Sequence, residues 1–154
     1  MIRNEMPQET YLELAIWYSS IGRKEEAAKV LQLAPRNAEV LYWEAYLENK
    51  SLRSDQLRPD LIFPFRPETA DVLKTLIPKN DYWLLKYHLA LIQWSTGNLS
   101  TAKQLLEACG NIPDYAPFYA ARAKFNMTND SNRVLADLQR AANLDKQQWR
   151  MAKT

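Results

Sequence analysis

The sequence predicts an all-α fold, a tandem array of about four helix pairs, and three observations carry this prediction. From Glu9 to Pro35 the apolar residues recur at spacings of three and four, which is the period of an amphipathic helix. Gly22 interrupts that stretch and Pro35 closes it, as expected for two helices joined by a tight turn. A second copy begins near Lys79 and has its own glycine, Gly97, which follows Gly22 by two hairpin units of about 34 residues plus a few inserted ones.

The composition agrees with an ordered helical chain. Of the 154 residues, 47% are hydrophobic and 25% are charged, which excludes disorder for most of the length. Only three glycines occur, and long stretches lack alternating β-branched residues, so strands find little support. A chain of this length can bury a core as one domain or as helix pairs in a row.

The N-terminal third contains three predicted helices. The first begins at Pro7, because proline lacks only a backbone donor that a first turn leaves unpaired, and it ends at Gly22. The second spans residues 24–33 and stops before Pro35, whose ring would clash with a continuing turn. A third spans residues 38–49.

Residues 50–66 break the helical period because Ser51, Ser54, Pro59 and Pro64 interrupt it. Several residues in this stretch are nevertheless strongly apolar, so we expect an inserted loop that packs back onto the array rather than a flexible linker. The apolar residues concerned are Leu61, Ile62, Phe63 and Phe65.

The remaining helices follow at regular intervals after Pro67. The pattern predicts helices over residues 67–77, from about 81 to Gly97, and over 99–108, 115–127 and 132–143, with a last short helix carrying Trp149. Grouped in pairs, they define one domain over residues 1–154. Its units are about 7–36, 37–78 with the inserted loop 50–66, 79–113 and 114–145, followed by the start of a capping helix at 146–154.

The first unit resembles the tetratricopeptide repeat (TPR), a helix-turn-helix of about 34 residues with small residues where its helices meet. The residues that carry the resemblance are Tyr11, Leu14, Ala15, Tyr18, Gly22, Ala27, Leu31, Ala34 and Pro35. In the third unit they are Leu89, Ala90, Gly97, Ala102, Leu106 and Cys109. The resemblance implies a right-handed α-α superhelix that acts as a protein-interaction scaffold.

Two proline-punctuated segments carry a narrower resemblance. Residues 63–68, Phe-Pro-Phe-Arg-Pro-Glu, and residues 113–122 are similar to the C-terminal TPR region of large bacterial proteins that carry an uncharacterised β-rich domain. This likeness implies an accessory helical module of a larger, carbohydrate-related protein. Both segments also fit ordinary proline-containing turns, so the two interpretations stay open.

Charge and targeting signals narrow the classes of partner. The formal net charge is +2 with the two signs interspersed, which gives no electrostatic reason to expect nucleic acid or an anionic membrane. No apolar stretch reaches the length of about 20 residues that spans a bilayer, and the N-terminal residues are not signal-like. With Cys109 as the only cysteine, the sequence does not separate a cytoplasmic from a periplasmic location.

The sequence contains no clear motif for catalysis, cofactor binding or metal binding. His88 is the only histidine and Cys109 the only cysteine, too few to supply the three or four ligands of a metal site. Cys109 lacks a positioned base, and the pair Glu25–Glu26 is typical of a solvated helix face. We therefore expect a non-enzymatic protein without cofactor or metal.

The resemblance implies a binding groove instead, lined by the first helix of each unit. Its first unit would contribute Leu12 and Ile16, and aromatic side chains further along would anchor a protein, a peptide or another domain of the same polypeptide. Several of these side chains could equally fill the inner seam, and an exposed end helix with Trp149 could support a homodimer. The predicted groove residues are Tyr42, Tyr46, Tyr87, Trp94 and Lys124.

Overall fold

The computed structural model describes residues 7–59, 62–128 and 131–153, with the side chains of residue 7 and of 147–153 outside the description. The described residues form eight α-helices, which confirms the all-α prediction. They are α1 (Pro7–Ser20), α2 (Lys24–Gln32), α3 (Ala38–Glu48), α4 (Pro67–Leu76), α5 (Trp83–Ser95), α6 (Leu99–Ala108), α7 (Ala116–Asn126) and α8 (Ser131–Lys153). Short 3₁₀ turns at Ser54–Gln56 and Ile77–Lys79 lie between them.

The turns that end α1 and α5 have the same geometry. Gly22 and Gly97 adopt φ values of 82° and 86°, in the left-handed region that glycine enters without steric cost. The amide after each glycine donates to a carbonyl five residues earlier, from Arg23 to Tyr18 at 2.9 Å and from Asn98 to Gln93 at 2.8 Å. Each glycine therefore reverses the chain, so that α1 packs on α2 and α5 packs on α6.

The second unit departs from the hairpin pattern, because α3 and α4 run in the same direction. Near their N-termini the Thr69 hydroxyl donates to Glu39 Oε1 at 2.8 Å. Just beyond their C-termini the Leu52 amide donates to Asn80 Oδ1 at 3.3 Å. Contacts at both matching ends require parallel helices. The loop between them thus carries the chain back along α3 before α4 starts.

The loop packs onto the array, but through other residues than predicted. Leu57 is 4% exposed, and Pro64 and Arg66 are also buried. Phe63 and Phe65 are 61% and 57% exposed, so the prediction that they pack inward is wrong. Of the other two residues in that prediction, Ile62 packs partly against the core, and Leu61 lies outside the described residues.

An aromatic seam joins α3, α5 and α7 in the core. Tyr87 packs edge-on against Phe118 with ring centroids 5.4 Å apart, and Trp83 packs against the same ring at 5.9 Å. Towards α3, the Tyr42 and His88 rings lie 5.7 Å apart. Edge-to-face aromatic pairs stabilise beyond the area that they bury, so this seam ties alternate helices together.

The C-terminal hairpin is held by a buried ion pair between α7 and α8. The Arg122 guanidinium donates to both carboxylate oxygens of Asp137, at 2.9 and 2.8 Å, and both side chains are at most 5% exposed. A further nitrogen of Arg122 donates to the Gly110 carbonyl at 2.7 Å. Arg122 therefore also binds the residues that follow α6.

Helix α8 is continuous from Ser131 to Lys153. The prediction of a separate capping helix at 146–154 is therefore wrong for the described part of that range, because residues 146–153 extend α8 without a break. The side chain of Trp149, on which the homodimer prediction depends, lies outside the described residues.

Candidate functional site: a cleft around Arg66

Two of the five predicted groove residues lie in the core. Tyr42 is 0% and Tyr87 is 2% exposed, so neither can contact a partner in this conformation. Tyr42 shares a hydrogen bond of 2.9 Å with His88 Nδ1, and Tyr87 stacks in the aromatic seam. The prediction that these two tyrosines line an open groove is corrected here, since they fill the seam between helices.

The other three predicted residues retain exposed surface. Tyr46 is 36% exposed and has the Lys24 ammonium 5.8 Å from its ring centroid. Trp94 is half-buried against Phe125, with the ring centroids 5.1 Å apart, and Lys124 is exposed. Of the residues expected at the start of the groove, Leu12 is buried and Ile16 half-buried. The structure gives no direct contact that joins Tyr46, Trp94 and Lys124 into one surface.

His88 and Cys109 are both buried among packed side chains. Burial lowers the pKa of His88 to about 3, so this imidazole is neutral at physiological pH. Burial also raises the pKa of the Cys109 thiol to about 11, which makes it a poor nucleophile. Among the described residues no cluster of His, Cys, Asp and Glu is arranged to hold a metal ion.

A cleft lies instead where the inserted loop meets α1, α3 and α4. Two open cavities of about 330 and about 540 Å³ share Glu13, Phe65 and Arg66 in their walls. We call the two cavities together the Arg66 cleft. Glu9, Glu39 and Phe63 add to the wall of the smaller cavity, and Ile16, Trp17 and Glu68 to that of the larger.

Arg66 organises the floor of this cleft. Its side chain is 9% exposed, and its Nη2 lies 2.5 Å from Glu9 Oε2 and 3.4 Å from Glu13 Oε1. Its Nη1 lies 3.7 Å from Glu39 Oε1. A buried guanidinium requires such partners, because burying an unpaired charge is costly. Arg66 thereby ties the start of α4 to the first turns of α1 and α3.

Below Arg66, a buried hydrogen-bonded chain links α3 to α4. The indole Nε1 of Trp43 donates to Thr69 Oγ1 at 3.0 Å, and the Thr69 hydroxyl donates to Glu39 at 2.8 Å. Burial raises the pKa of Glu39, Glu9 adds to the rise, and the Thr69 hydrogen bond and Arg66 oppose it. This chain fixes the polar floor beneath the cleft.

Three large aromatic side chains surround the cleft and face solvent. Phe63 is 61%, Phe65 is 57% and Trp17 is 55% exposed. One face of the Phe65 ring packs on the Arg66 guanidinium, whose central carbon lies 4.8 Å from the ring centroid. The other face of the ring is open to solvent. Grouped exposed aromatic residues of this kind mark interaction surfaces more often than isolated ones.

The sequence reasoning missed this site. It assigned Phe63 and Phe65 to packing and gave no role to Trp17 or Arg66. A usable signal was present, since two phenylalanines separated by one proline lie in the single insertion that interrupts the repeat. Their positions i and i+2 on an extended segment project to the same side.

Comparison with known proteins shows the fold. No protein-family model matches the chain, and no curated protein matches it. A crystal structure of MamA, a TPR-containing protein, covers 96% of this chain and 83% of its own, with a TM-score of 0.53 and 19% identity. The MamA RS-1 ArsTM double mutant covers 94% and 79%, with a TM-score of 0.52 and 14% identity. This chain has a TPR-like fold.

The helices range in length from 9 residues in α2 to 23 in α8. Within the described ranges, none combines the length and apolar character needed to cross a membrane.

Proposed function

We propose that this chain is a non-enzymatic protein-interaction scaffold that binds a polypeptide segment in the Arg66 cleft. The segment belongs to a partner protein or to another part of the same polypeptide. The observation that carries this proposal is the group of three exposed aromatic side chains around a cleft whose floor is fixed by buried ion pairs. Rigid aromatic residues on a rigid support are typical interface anchors, because they lose little conformational entropy on binding.

The TPR-like fold supports the proposal by its construction. Each helix pair contacts mainly its neighbours, so the array presents extended surfaces on a stiff frame. Tyr46, Trp94 and Lys124 remain proposed as a second contact surface on the same frame. The catalytic alternative has no support among the described residues that line the cleft, because the one hydroxyl there, that of Ser20, donates to the Trp17 carbonyl and not to a base.

The test begins with a peptide library displayed on phage and selected on the purified chain. The selected peptides are then measured by fluorescence anisotropy against the double variant Trp17→Ala/Phe65→Ala. Both side chains are more than half exposed, so a bound segment would bury about half of each. At about 1 kcal/mol for each half-buried ring, we expect affinity to fall by a factor of about 30.

The matched control is Leu33→Ala/Met127→Ala, which removes two side chains that are 74% and 70% exposed at other places. It should leave the affinity unchanged. Equal losses in the two variants would contradict binding in the cleft. Loss confined to Tyr46→Ala/Trp94→Ala would assign binding to the second surface instead.

The same variants examine the alternative of an accessory module in a carbohydrate-related protein. Aromatic rings also stack on sugar rings, so a glycan array is probed in parallel with the peptides. If the wild-type chain binds a glycan, Trp17→Ala abolishes that binding and no peptide is selected, the result would favour that alternative over the protein-interaction proposal.

A further inference from the structure

We infer that the Arg66 cleft selects a basic and apolar segment, an extended stretch in which Lys or Arg alternates with apolar side chains. This inference rests on the proposed function and names the chemistry of its ligand. The charges around the cleft, the spacing of residues on α1 and an unpaired donor on its floor carry it.

The charge of the cleft is negative. Four carboxylates line it, and Arg66 is the only cation among the lining residues that the structure describes. The carboxylates are those of Glu9, Glu13, Glu39 and Glu68. Three of them lie in the first turns of α1, α3 and α4, where each helix N-terminus contributes roughly half a positive charge. These contributions together with Arg66 do not neutralise four carboxylates, so the cleft attracts cations although the chain as a whole carries a net charge of +2.

Two of these carboxylates are accessible to a ligand. The side chain of Glu13 is 72% exposed, and Glu68 is also exposed. Glu13 and Trp17 are four residues apart on α1, so they share one face of that helix. A ligand ammonium or guanidinium placed over the indole of Trp17 would therefore also reach the Glu13 carboxylate. The ligand's apolar side chains would pack on Phe63 and Phe65.

The floor of the cleft holds a donor that the described residues leave unpaired. Arg66 Nη1 is buried and makes no hydrogen bond to them, because Glu39 at 3.7 Å is too distant. Phe65 covers the guanidinium and is 57% exposed, so a bound segment that packs on this ring would lie close to the unpaired donor. A main-chain carbonyl of a bound segment would then accept from Arg66, which favours an extended peptide over a compact surface.

The experiment uses three short fluorescein-labelled peptides in which Leu alternates with Lys, with Gln or with Glu. Affinities are measured against the wild-type chain, Glu13→Gln/Glu68→Gln and the control Glu25→Gln/Asp145→Asn. Each variant removes two exposed carboxylates and changes the net charge equally. A difference in peptide affinity between the two variants therefore depends on where the removed carboxylates lie. Far-UV circular dichroism confirms that both remain folded.

We expect the Lys peptide to bind the wild-type chain at least about tenfold tighter than the Gln peptide, and more weakly as salt rises. Glu13→Gln/Glu68→Gln should reduce its affinity by about threefold to tenfold, as two partly exposed ion pairs imply. The control should retain it. Equal affinity for the Lys and Glu peptides, or equal loss in the two variants, would overturn the inference.

The two proposals fail in distinguishable ways. If phage-selected peptides lose affinity in Trp17→Ala/Phe65→Ala but are indifferent to Glu13→Gln/Glu68→Gln, the scaffold proposal stands and the basic ligand is wrong. If neither variant changes the binding of any peptide, both proposals are wrong.

Discussion

Asp137→Asn should destabilise the chain strongly, because it leaves the Arg122 guanidinium buried without its counter-ion. The two side chains are 3% and 5% exposed and are joined by two charge-assisted hydrogen bonds. Removing one member of a buried pair costs about 3–5 kcal/mol. Arg122 would keep its hydrogen bonds to the carbonyls of Gly110 and Leu106, and asparagine would retain one acceptor. We therefore expect a loss near the lower limit, about 3 kcal/mol.

The assay is urea unfolding followed by far-UV circular dichroism, supported by thermal melts. A loss of about 3 kcal/mol corresponds to a melting temperature lowered by about 10 °C in a chain of this size. The control is Glu107→Gln, which breaks the half-exposed pair of Glu107 with Arg133 at 3.5 Å and should cost less than about 1 kcal/mol. A cost for Asp137→Asn no greater than that of the control would refute the reasoning, since burial would then add nothing to the pair.

Two further predictions concern a turn and a buried ring. Gly22→Ala should destabilise by about 1–2 kcal/mol in the same assay, because alanine is strained at φ 82° although its Cβ would meet no atom within 4 Å; an unchanged midpoint would contradict the turn geometry. Because the pKa of His88 falls from 6.5 to about 3 on folding, the unfolded chain binds more protons between these values. Stability should thus be lost as pH falls from 6.5 to 3, by up to about 1.4 kcal/mol per unit. His88→Asn should lack this component, so equal pH slopes in the two proteins would show that His88 is not buried as a neutral ring.

Much of the fold could be predicted because local signals coincide with tertiary ones. Glycine commonly ends a helix because it adopts the left-handed conformation without strain, and Gly22 and Gly97 both do so. Proline is favoured in the first turn of a helix, and Pro67 lies in the first turn of α4. The predicted end of the last long helix at residue 143 had no such local signal, and α8 continues through it to Lys153. Residues 143–146, Asn-Leu-Asp-Lys, carry no glycine or proline, so nothing in the sequence stops the helix there.

The direction of α4 could not be predicted, because it depends on where the inserted loop crosses the array. Helical periodicity shows which face of a helix is apolar. It does not show whether the helix packs parallel or antiparallel to its neighbour. The direction of α4 depends instead on tertiary interactions. These are the burial of Leu57 and the hydrogen bond between Thr69 and Glu39, which are 30 residues apart in the sequence. The burial of Tyr42 and Tyr87 could not be predicted from local sequence either, because aromatic residues occur both in buried seams and in open grooves.

The reversed α4 also explains why the candidate site lies where it does. In a regular hairpin the start of α4 would meet the end of α3, and Arg66 would be far from Glu39. Running parallel to α3, α4 instead brings its own N-terminus to those of α1 and α3. Each of these helices places a glutamate in its first turn for its own stability, and their convergence concentrates three carboxylates around one arginine. The acidic cleft is therefore a consequence of the inserted loop, so shortening that loop should remove the cleft, while the hairpins closed by Gly22 and Gly97 should still form.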